Sequence, residues 1–471
     1  MDLDQRHPLY EAYINRWKAY LASYLGGEDY RAPSLAMLRK YINEDSAPGN
    51  QYSQRLNHTA LDNLTKLAID TYRSFLFRNT PLRTFGGMKD NELVNRFLDD
   101  IDFNGQDLDD FMKNANDLAS VYGHVWIMVT KGFEEGVVTL QQEIEADIRP
   151  YARVFTPENV VNWKYERKNN GSEYLSELMT MEYVNEEQTR YVIWTPQDIT
   201  TLLVTEQGET LPPLVEMTEL QGNEIGRIPF VLLKANHSQY REIGQSDIAD
   251  VVTIQKAIFN LLSEAEQGVR ISNHPTLVKT FDTDAMAGAG AVVDMDPNMD
   301  PALKPYLLEP NGTNIESIVN MIDVHVDAFL RATHLGAIMS GRGLTPKSGI
   351  ALQTEFQQLN TRLGDKAAKL EQAEQNIWEL FWAYTGLPTP IDFEVVYEKS
   401  FDLRDAHADF TLYAQALALD IPSESYKRAL MKQIAEVVIE DGDSLDDIMA
   451  EIESMDVSNY TIDTPNTSDG I

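Results

Sequence analysis

The 471-residue sequence contains no cysteine. That excludes disulfides, thiolate zinc sites and cysteine nucleophiles, and it suits folding inside a cell. No apolar run reaches the about 18 residues that a membrane-spanning helix needs. The opening residues, MDLDQRHPLY, lack the basic-then-apolar pattern of a secretion signal, so cytosolic synthesis is expected. Basic residues are scarce: 39 Lys and Arg stand against 74 Asp and Glu, a formal net charge of −35. Gripping nucleic acid needs clustered cations that displace counterions from phosphates, and attraction to an anionic membrane needs them too, so both are disfavoured. The same balance suits solubility at high concentration, basic partners, or a surface that must not stick to DNA. A hydrophobic content of 43% and a charged content of 24% are ordinary for a folded soluble protein, and the length allows about three domains.

What the chain does contain is one dominant stretch, Gly349 to Thr385, with no proline and with Gly364 as its one poor helix former past the start. Alternate steps of four and three from Leu352 land on Phe356, Leu359, Leu363, Lys366, Leu370, Ala373, Ile377, Leu380 and Tyr384. Every one is apolar or aromatic except Lys366, which predicts a sustained helical stripe with one interruption. Such a helix is about 54 Å long. Ser348 can cap its start, and Gly386, with Pro388 and Pro390 behind, stops it. It reads either as the spine of an α-rich domain or as a helix that packs against copies of itself. Both roles are structural.

Around this spine, residues 8 to 25 form an amphipathic helix ended by Gly26-Gly27. Further helices are expected from Gln51 to Phe77 and from Asp90 to Val121. After Tyr122-Gly123 the period changes to two. Strands are expected at His124–Thr130, Val137–Leu140, Tyr151–Phe155, Val160–Tyr165, Leu175–Tyr183, Arg190–Trp194 and Ile199–Val204, and within Gly226–Leu233. Helices at Ser246–Arg270 and Ile315–Thr333 bracket a small β-prone insert with strands at Thr276–Thr280, Ala291–Asp294 and Pro305–Leu308. A glycine-rich loop, His334 to Gly349, leads into the spine. One strand (Phe393–Tyr397) and helices near Leu403–Leu419, Ser423–Glu440 and Ser444–Ser454 follow it. Residues 440 to 456 hold eight acids and no Lys or Arg, and 457 to 471 read as disordered.

Motifs for chemistry are incomplete. Gly341-Arg342-Gly343-Leu344-Thr345-Pro346-Lys347-Ser348 has the outline of a phosphate loop, but Pro346 replaces the second glycine and offers no N–H to a phosphate. The loop also follows a helix instead of a buried strand. Asp294, Asp296, Asn298 and Asp300 mimic half a calcium loop, yet Met299 and Pro305 stand where glycine and glutamate are required. The eight histidines form no His-Glu-x-x-His pair, and no Gly-x-Ser-x-Gly elbow exists. His124 alternates with apolar residues and reads as part of the fold. Asp323 and Asp327 share a helix face, which reads as solvated surface. Neither catalysis nor a metal or cofactor is expected.

The order of parts resembles a portal protein of a tailed bacteriophage, the ring at one vertex of the capsid. The resemblance covers nearly the whole chain. It rests on Tyr52-x-x-Arg55-Leu56, on Phe75-Leu76-Phe77-Arg78-Asn79-Thr80-Pro81, and on the stretches Tyr122–Val129 and Phe155–Glu166. Its most specific part is Gly244-Gln245-Ser246-Asp247-Ile248 with its helix, the β insert, the second helix, the glycine-rich loop and the long helix opening Ser348-Gly349-Ile350-Ala351-Leu352-Gln353.

The resemblance implies an α+β portal fold. It divides into a wing (1–243), stem helix 1 (244–270), clip (271–312), stem helix 2 (313–333) and tunnel loop (334–349). The spine helix with a wing strand (350–400), a helical crown (401–455) and a disordered tail (456–471) complete it. It further implies a ring, usually of twelve copies, with an axial channel through which double-stranded DNA is packaged and ejected. The implied partners are terminase at the clip, head-completion or adaptor proteins, and major capsid and scaffolding proteins at the wing. No enzymatic activity, cofactor or membrane contact is implied. The place is the virion's portal vertex, after assembly in the host cytoplasm. An acidic channel wall repels phosphates over about 8–10 Å. Candidates for that wall are Asp247, Asp250, Glu264, Glu266, Glu316, Asp323 and Asp327. The tunnel loop (Ser340, Gly341, Arg342, Gly343 and Lys347) is where positive charge would meet DNA. The competing readings are a self-assembling structural or scaffold protein without a DNA channel, and an NTPase resting on the damaged phosphate loop.

Overall fold

The computed structural model describes residues 3, 5–42, 44, 51–132, 142, 146–207, 213–273, 276–279, 300, 304–308, 313–336, 338, 349–401, 416, 423–438, 448–449 and 451–454. They belong to two compact units, Met1–Phe401 and Asp402–Ile471.

The first unit opens with α1 (Pro8–Leu25) and the single turn α2 (Gly27–Tyr30). The helix expected from Gln51 to Phe77 is instead two, α3 (Gln51–His58) and α4 (Leu64–Leu76). The break is stabilised from outside. Asn63 caps α4 by accepting from the Lys66 N–H, and Arg31 donates to the carbonyls of Leu56 and Thr59. The expected helix from Asp90 to Val121 also divides, after the short strand β1 (Leu82–Thr84), into α5 (Glu92–Asp99) and α6 (Leu108–Tyr122). Between them Phe103 and Gly105 take positive φ, and Asp107 caps α6 at Asp110 N–H, 2.7 Å away.

Among the described residues eight strands follow the expected change of period, one more than expected for that stretch. These are β2 (His124–Lys131), β3 (Pro150–Phe155), β4 (Val160–Arg167), β5 (Glu173–Tyr183), β6 (Gln188–Trp194), β7 (Asp198–Thr205), β8 (Leu214–Gly222) and β9 (Phe230–Lys234), with β1 lying earlier in the chain. They make two antiparallel sheets, one in order β3-β2-β9 and one in order β4-β5-β6-β7-β8. β8 is the strand that alternation did not reveal, because nearly all of it is exposed on both faces. The strand expected at Val137–Leu140 lies outside the described residues.

Next come α7 (Val252–Asn273), the antiparallel pair β10 (Thr276–Val278) and β11 (Tyr306–Leu308), and α8 (Thr313–Thr333). The long helix α9 (Gly349–Thr385) and β12 (Glu394–Val396), which pairs with β1, complete the unit. α7 starts six residues later than the expected Ser246, because Asp247–Val251 form a turn. Ala291–Asp294 lies outside the described residues.

The core lies between α4, α6, the three-stranded sheet and α9. Of the stripe on α9, every described position from Phe356 to Tyr384 is buried, Lys366 included. The stripe is therefore used up inside its own chain, which supports the spine reading over self-packing. A fully buried Leu or Ile contributes about 1.5–3 kcal/mol, so this face alone fixes the position of the helix. Towards its C-terminal end Trp378 meets Phe85, Phe97, Phe381 and Trp382 at centroid separations of 4.8, 5.1, 5.1 and 5.7 Å. The helix stops where Gly386 takes φ +66° and donates to the Trp382 carbonyl.

In the second unit, α10 (Glu424–Val438) buries Leu430 and Ala435, and Lys432 pairs with Glu453 at 3.5 Å. Leu403–Leu419 is outside the described residues except position 416, as is the tail from 455 onward.

Two glycines control one junction. Gly123, at φ +96°, ends α6, and a Cβ there would run into the Gly244 carbonyl oxygen. A Cβ on Gly244 would meet the Gly123 oxygen in return. Gly244→Ala is expected to lower stability by at least ~2 kcal/mol, whereas Gly87→Ala, with open space around it, should stay within about 0.5 kcal/mol. Chemical denaturation followed by circular dichroism compares the two.

Candidate functional site: the stem helices and their anchor

The close approach of Gly123 and Gly244 brings the stretches around Tyr122 and Ser246 together. The carbonyls at the C-terminus of α6 lack intrahelical partners. Ser246 supplies them, its hydroxyl donating to the carbonyls of Ser120 and Val121 at 3.0 and 2.6 Å. The Asp247 N–H donates to the Ser120 carbonyl at 3.0 Å. This leaves the Asp247 carboxylate pointing inward, where its side chain is wholly buried.

Three donors meet it: Lys366 Nζ at 2.6 Å, Arg362 at 2.9 Å and Asn236 Nδ2 at 2.7 Å. Lys366 also donates to Ser120 Oγ at 2.9 Å. Burial pushes the Asp247 carboxyl up, but the Lys366 and Arg362 charges and the hydrogen bonds outweigh it and hold the group well below the usual carboxylate range. Arg362 lies 5.0 Å from the centroid of the Tyr72 ring, and Tyr72 donates to the Thr333 carbonyl at the end of α8. Two residues one turn apart on α9 therefore root the start of α7 and the end of α8. Asp247, expected on a channel wall, is corrected to this internal role: an unpaired carboxylate loses too much solvation to be buried, and here it has three partners.

The remaining expected acids do not share a face. Asp250 is exposed in the turn before α7. Glu266 accepts from the Ala60 N–H at 3.1 Å, so it faces the α3–α4 break. Glu264 lines a groove against the segment before α3. On α8, Glu316, Asp323 and Asp327 follow spacings of seven and four and lie on one exposed stripe. Val319, Met321 and Val324 beside it are 46, 47 and 57% exposed. α7 and α8 pack along each other, with Gly268 against the Ile315 side chain.

The groove is built by the Tyr52-x-x-Arg55-Leu56 stretch. Tyr52 donates to the Leu38 carbonyl, and buried Arg55 binds Glu44 at 2.7 Å, Ser263 Oγ at 3.0 Å and the Arg39 carbonyl. These bonds hold residues 38–42 and Glu44 over α7 and leave two adjoining depressions of about 1000 and 750 Å³.

Ser340, Gly341, Arg342, Gly343 and Lys347 lie outside the described residues, as do Asp294, Asp296 and Asn298. Among the described residues no group of three acids or histidines is placed to hold a metal. His124 is buried edge-on to Trp17, and burial followed by the Lys234 charge pushes it down to about 3, so its ring is neutral at ordinary pH. The residues that sequence reasoning missed are Lys366, Arg362, Asn236 and Tyr72. The one available signal was a lysine inside an apolar stripe.

Asp247→Asn is expected to destabilise the first unit by about 3–5 kcal/mol, because Lys366 would stay buried without its counter-charge. Asp247→Asn with Lys366→Met should recover part of the loss in denaturant titrations. Because the carboxyl titrates lower folded than unfolded, its contribution is complete above about pH 4 and is lost as pH falls below that.

A family description, "Phage portal protein, SPP1 Gp6-like", matches residues 21–404. No curated protein matches the sequence. Similar solved structures include a chain of "Virion of native gene transfer agent (GTA) particle", at 11% identity and TM-score 0.43, covering 88% of this chain and 98% of that one. A chain of "Neck of native GTA particle computed with C12 symmetry" has 11% identity and TM-score 0.44, with 82% and 93% covered. A chain of "Neck of empty GTA particle computed with C6 symmetry" has 11% identity and TM-score 0.42, with 86% and 98% covered. Because the family match runs from within α1 to beyond β12, the chain belongs to the phage portal proteins of the SPP1 Gp6-like family.

Proposed function

We propose that this chain is the repeating subunit of a ring, about a dozen copies around an axial passage through which double-stranded DNA enters and leaves a particle. The observation that carries the reading is the rooted α7/α8 pair. Two helices end in a small strand pair, and both are fixed at their bases to one turn of α9 by Asp247, Arg362, Lys366 and Tyr72. A rigid root of this kind fixes where the two-helix column starts, and contacts from Arg39, Arg55 and Ala60 brace α7 along its length. The ring requires a head-to-tail joint, in which two different surfaces of the same chain meet.

The surplus of negative charge supports low friction: a wall that repels phosphates does not hold the DNA it passes. The surface acids Asp250, Glu316, Asp323 and Asp327 would border the passage. Arg342 and Lys347 in the tunnel loop would be the points where positive charge touches DNA. The β10/β11 end would dock terminase and later the head-completion proteins, and the β-rich part would meet capsid and scaffolding proteins.

Native mass spectrometry with negative-stain imaging should find closed rings with a central opening. Closed assemblies without an opening, with or without scaffolding protein present, would favour a structural protein that conducts no DNA. Tight, salt-sensitive binding of duplex to the isolated ring in a gel-shift assay would remove the low-friction idea. Arg342→Ala with Lys347→Ala should leave ring formation intact and reduce the DNA packaged or retained. Normal DNA content in that variant would take the loop out of the mechanism.

A further inference from the structure

In a chain with net charge −35, one surface stands out for its cations. The groove between residues 33–42, α3 and α7 is lined by Arg39, Lys40, Lys256 and Arg270, with Glu264 and the Arg55-bound Glu44 as its acids. Its floor is apolar: Leu38 and Leu56 are buried beneath it, and Lys40 Nζ lies 4.8 Å from the Tyr52 ring centroid. Beside it, Tyr41 is 43% and Ile42 99% exposed. Among the described residues, Arg39, Lys256 and Arg270 have no carboxylate within ion-pair distance.

The outward face of α8 is its counterpart in sign and shape. Glu316, Asp323 and Asp327 lack an ion pair among the described residues, and exposed Val319, Met321 and Val324 flank them. At about 100° per residue, the exposed positions from Val319 to Met321 span roughly 200° of the helix circumference. No residue of α8 lines the groove, so the two surfaces are separate parts of one chain.

We infer that the groove between α3 and α7 of one copy receives the outward face of α8 of the next copy. The inference rests on the ring reading and names the joint that the ring needs. Two different, complementary patches on one chain are what a head-to-tail interface requires, and repetition closes it into a ring. Val324 and Met321, on one flank of the acidic stripe, cover the apolar floor, and the α7 cations meet the α8 acids at its side. Charge complementarity of this kind fixes register and penalises wrong partners. The acidic stripe then lies at the seam between neighbours, with one flank against the next copy and the other towards the passage.

The test is a charge exchange across the joint, read by native mass spectrometry on the full chain with and without scaffolding protein. Lys256→Glu with Arg270→Glu should reduce the closed-ring fraction at least tenfold while the thermal midpoint stays unchanged. Asp323→Lys with Asp327→Lys should do the same. Because Lys256 is half-buried, Lys256→Gln with Arg270→Gln serves as the milder variant and should give a smaller loss. All four charge reversals in one chain should restore rings. Rings at wild-type yield in either reversed pair, or no recovery in the fourfold variant, would overturn the joint while leaving the ring itself standing. A wild-type chain that never closes would sink the ring reading and the joint with it. Rings intact but binding of a 20-bp duplex lost in Lys256→Glu with Arg270→Glu would make the groove a phosphate site instead.

Discussion

A single buried carboxylate organises the molecule. Asp247 accepts from a lysine, an arginine and an asparagine that come from α9 and from the end of the three-stranded sheet. Removing an ion from water costs several kcal/mol, so such a group stays buried only while all its partners stay in place. The requirement runs both ways. Lys366 sits in the middle of the apolar stripe of α9 and is tolerable there because Asp247 is present. The carboxylate thereby sets where α9 crosses the sheet and where the chain leaves for α7.

Its neighbours extend the constraint. Ser246 closes the end of α6, and the paired glycines let the two backbones approach closely enough for that bond to form. Arg362 carries the link on through Tyr72 to the last turn of α8. Further along α9, buried Glu374 repeats the arrangement with Arg83 and the Tyr397 hydroxyl, which ties the β1/β12 pair to the same helix. The long helix is thus both the hydrophobic centre and the carrier of two buried ionic clusters. A column of two helices rooted in this way keeps its outward surfaces available, and it is those surfaces that a ring must join.

The α7/α8 region also shows why charge counts and charge positions are different facts. The overall acid excess disfavours any grip on nucleic acid. Yet Arg39, Lys40, Lys256 and Arg270 gather in one groove beside α7, and Glu316, Asp323 and Asp327 gather on one stripe of α8. Asp250 and the α8 acids remain at the surface, Glu266 caps a helix break, and Asp247 is internal. With Glu264 lining the groove, seven residues of like charge have four different roles.

The local sequence determined what local physics decides. The stripe from Phe356 to Tyr384 required a buried helix, the glycine at 386 required its end, and the change of period after Gly123 required strands. The order of these parts made the family legible before any contact was known. The tertiary structure decided the rest, because the deciding partners are distant in the chain. Helix propensity continues through residues 59 to 63, but Gln255 and Glu266 of α7 satisfy the backbone groups that the break exposes. β8 is exposed on both faces, so its sequence carries no alternation to read. Asp247 looks like any helical surface acid until Lys366, 119 residues away, is brought to 2.6 Å from it. Periodicity records how a segment meets water, whereas the partner of a buried charge is chosen by the fold.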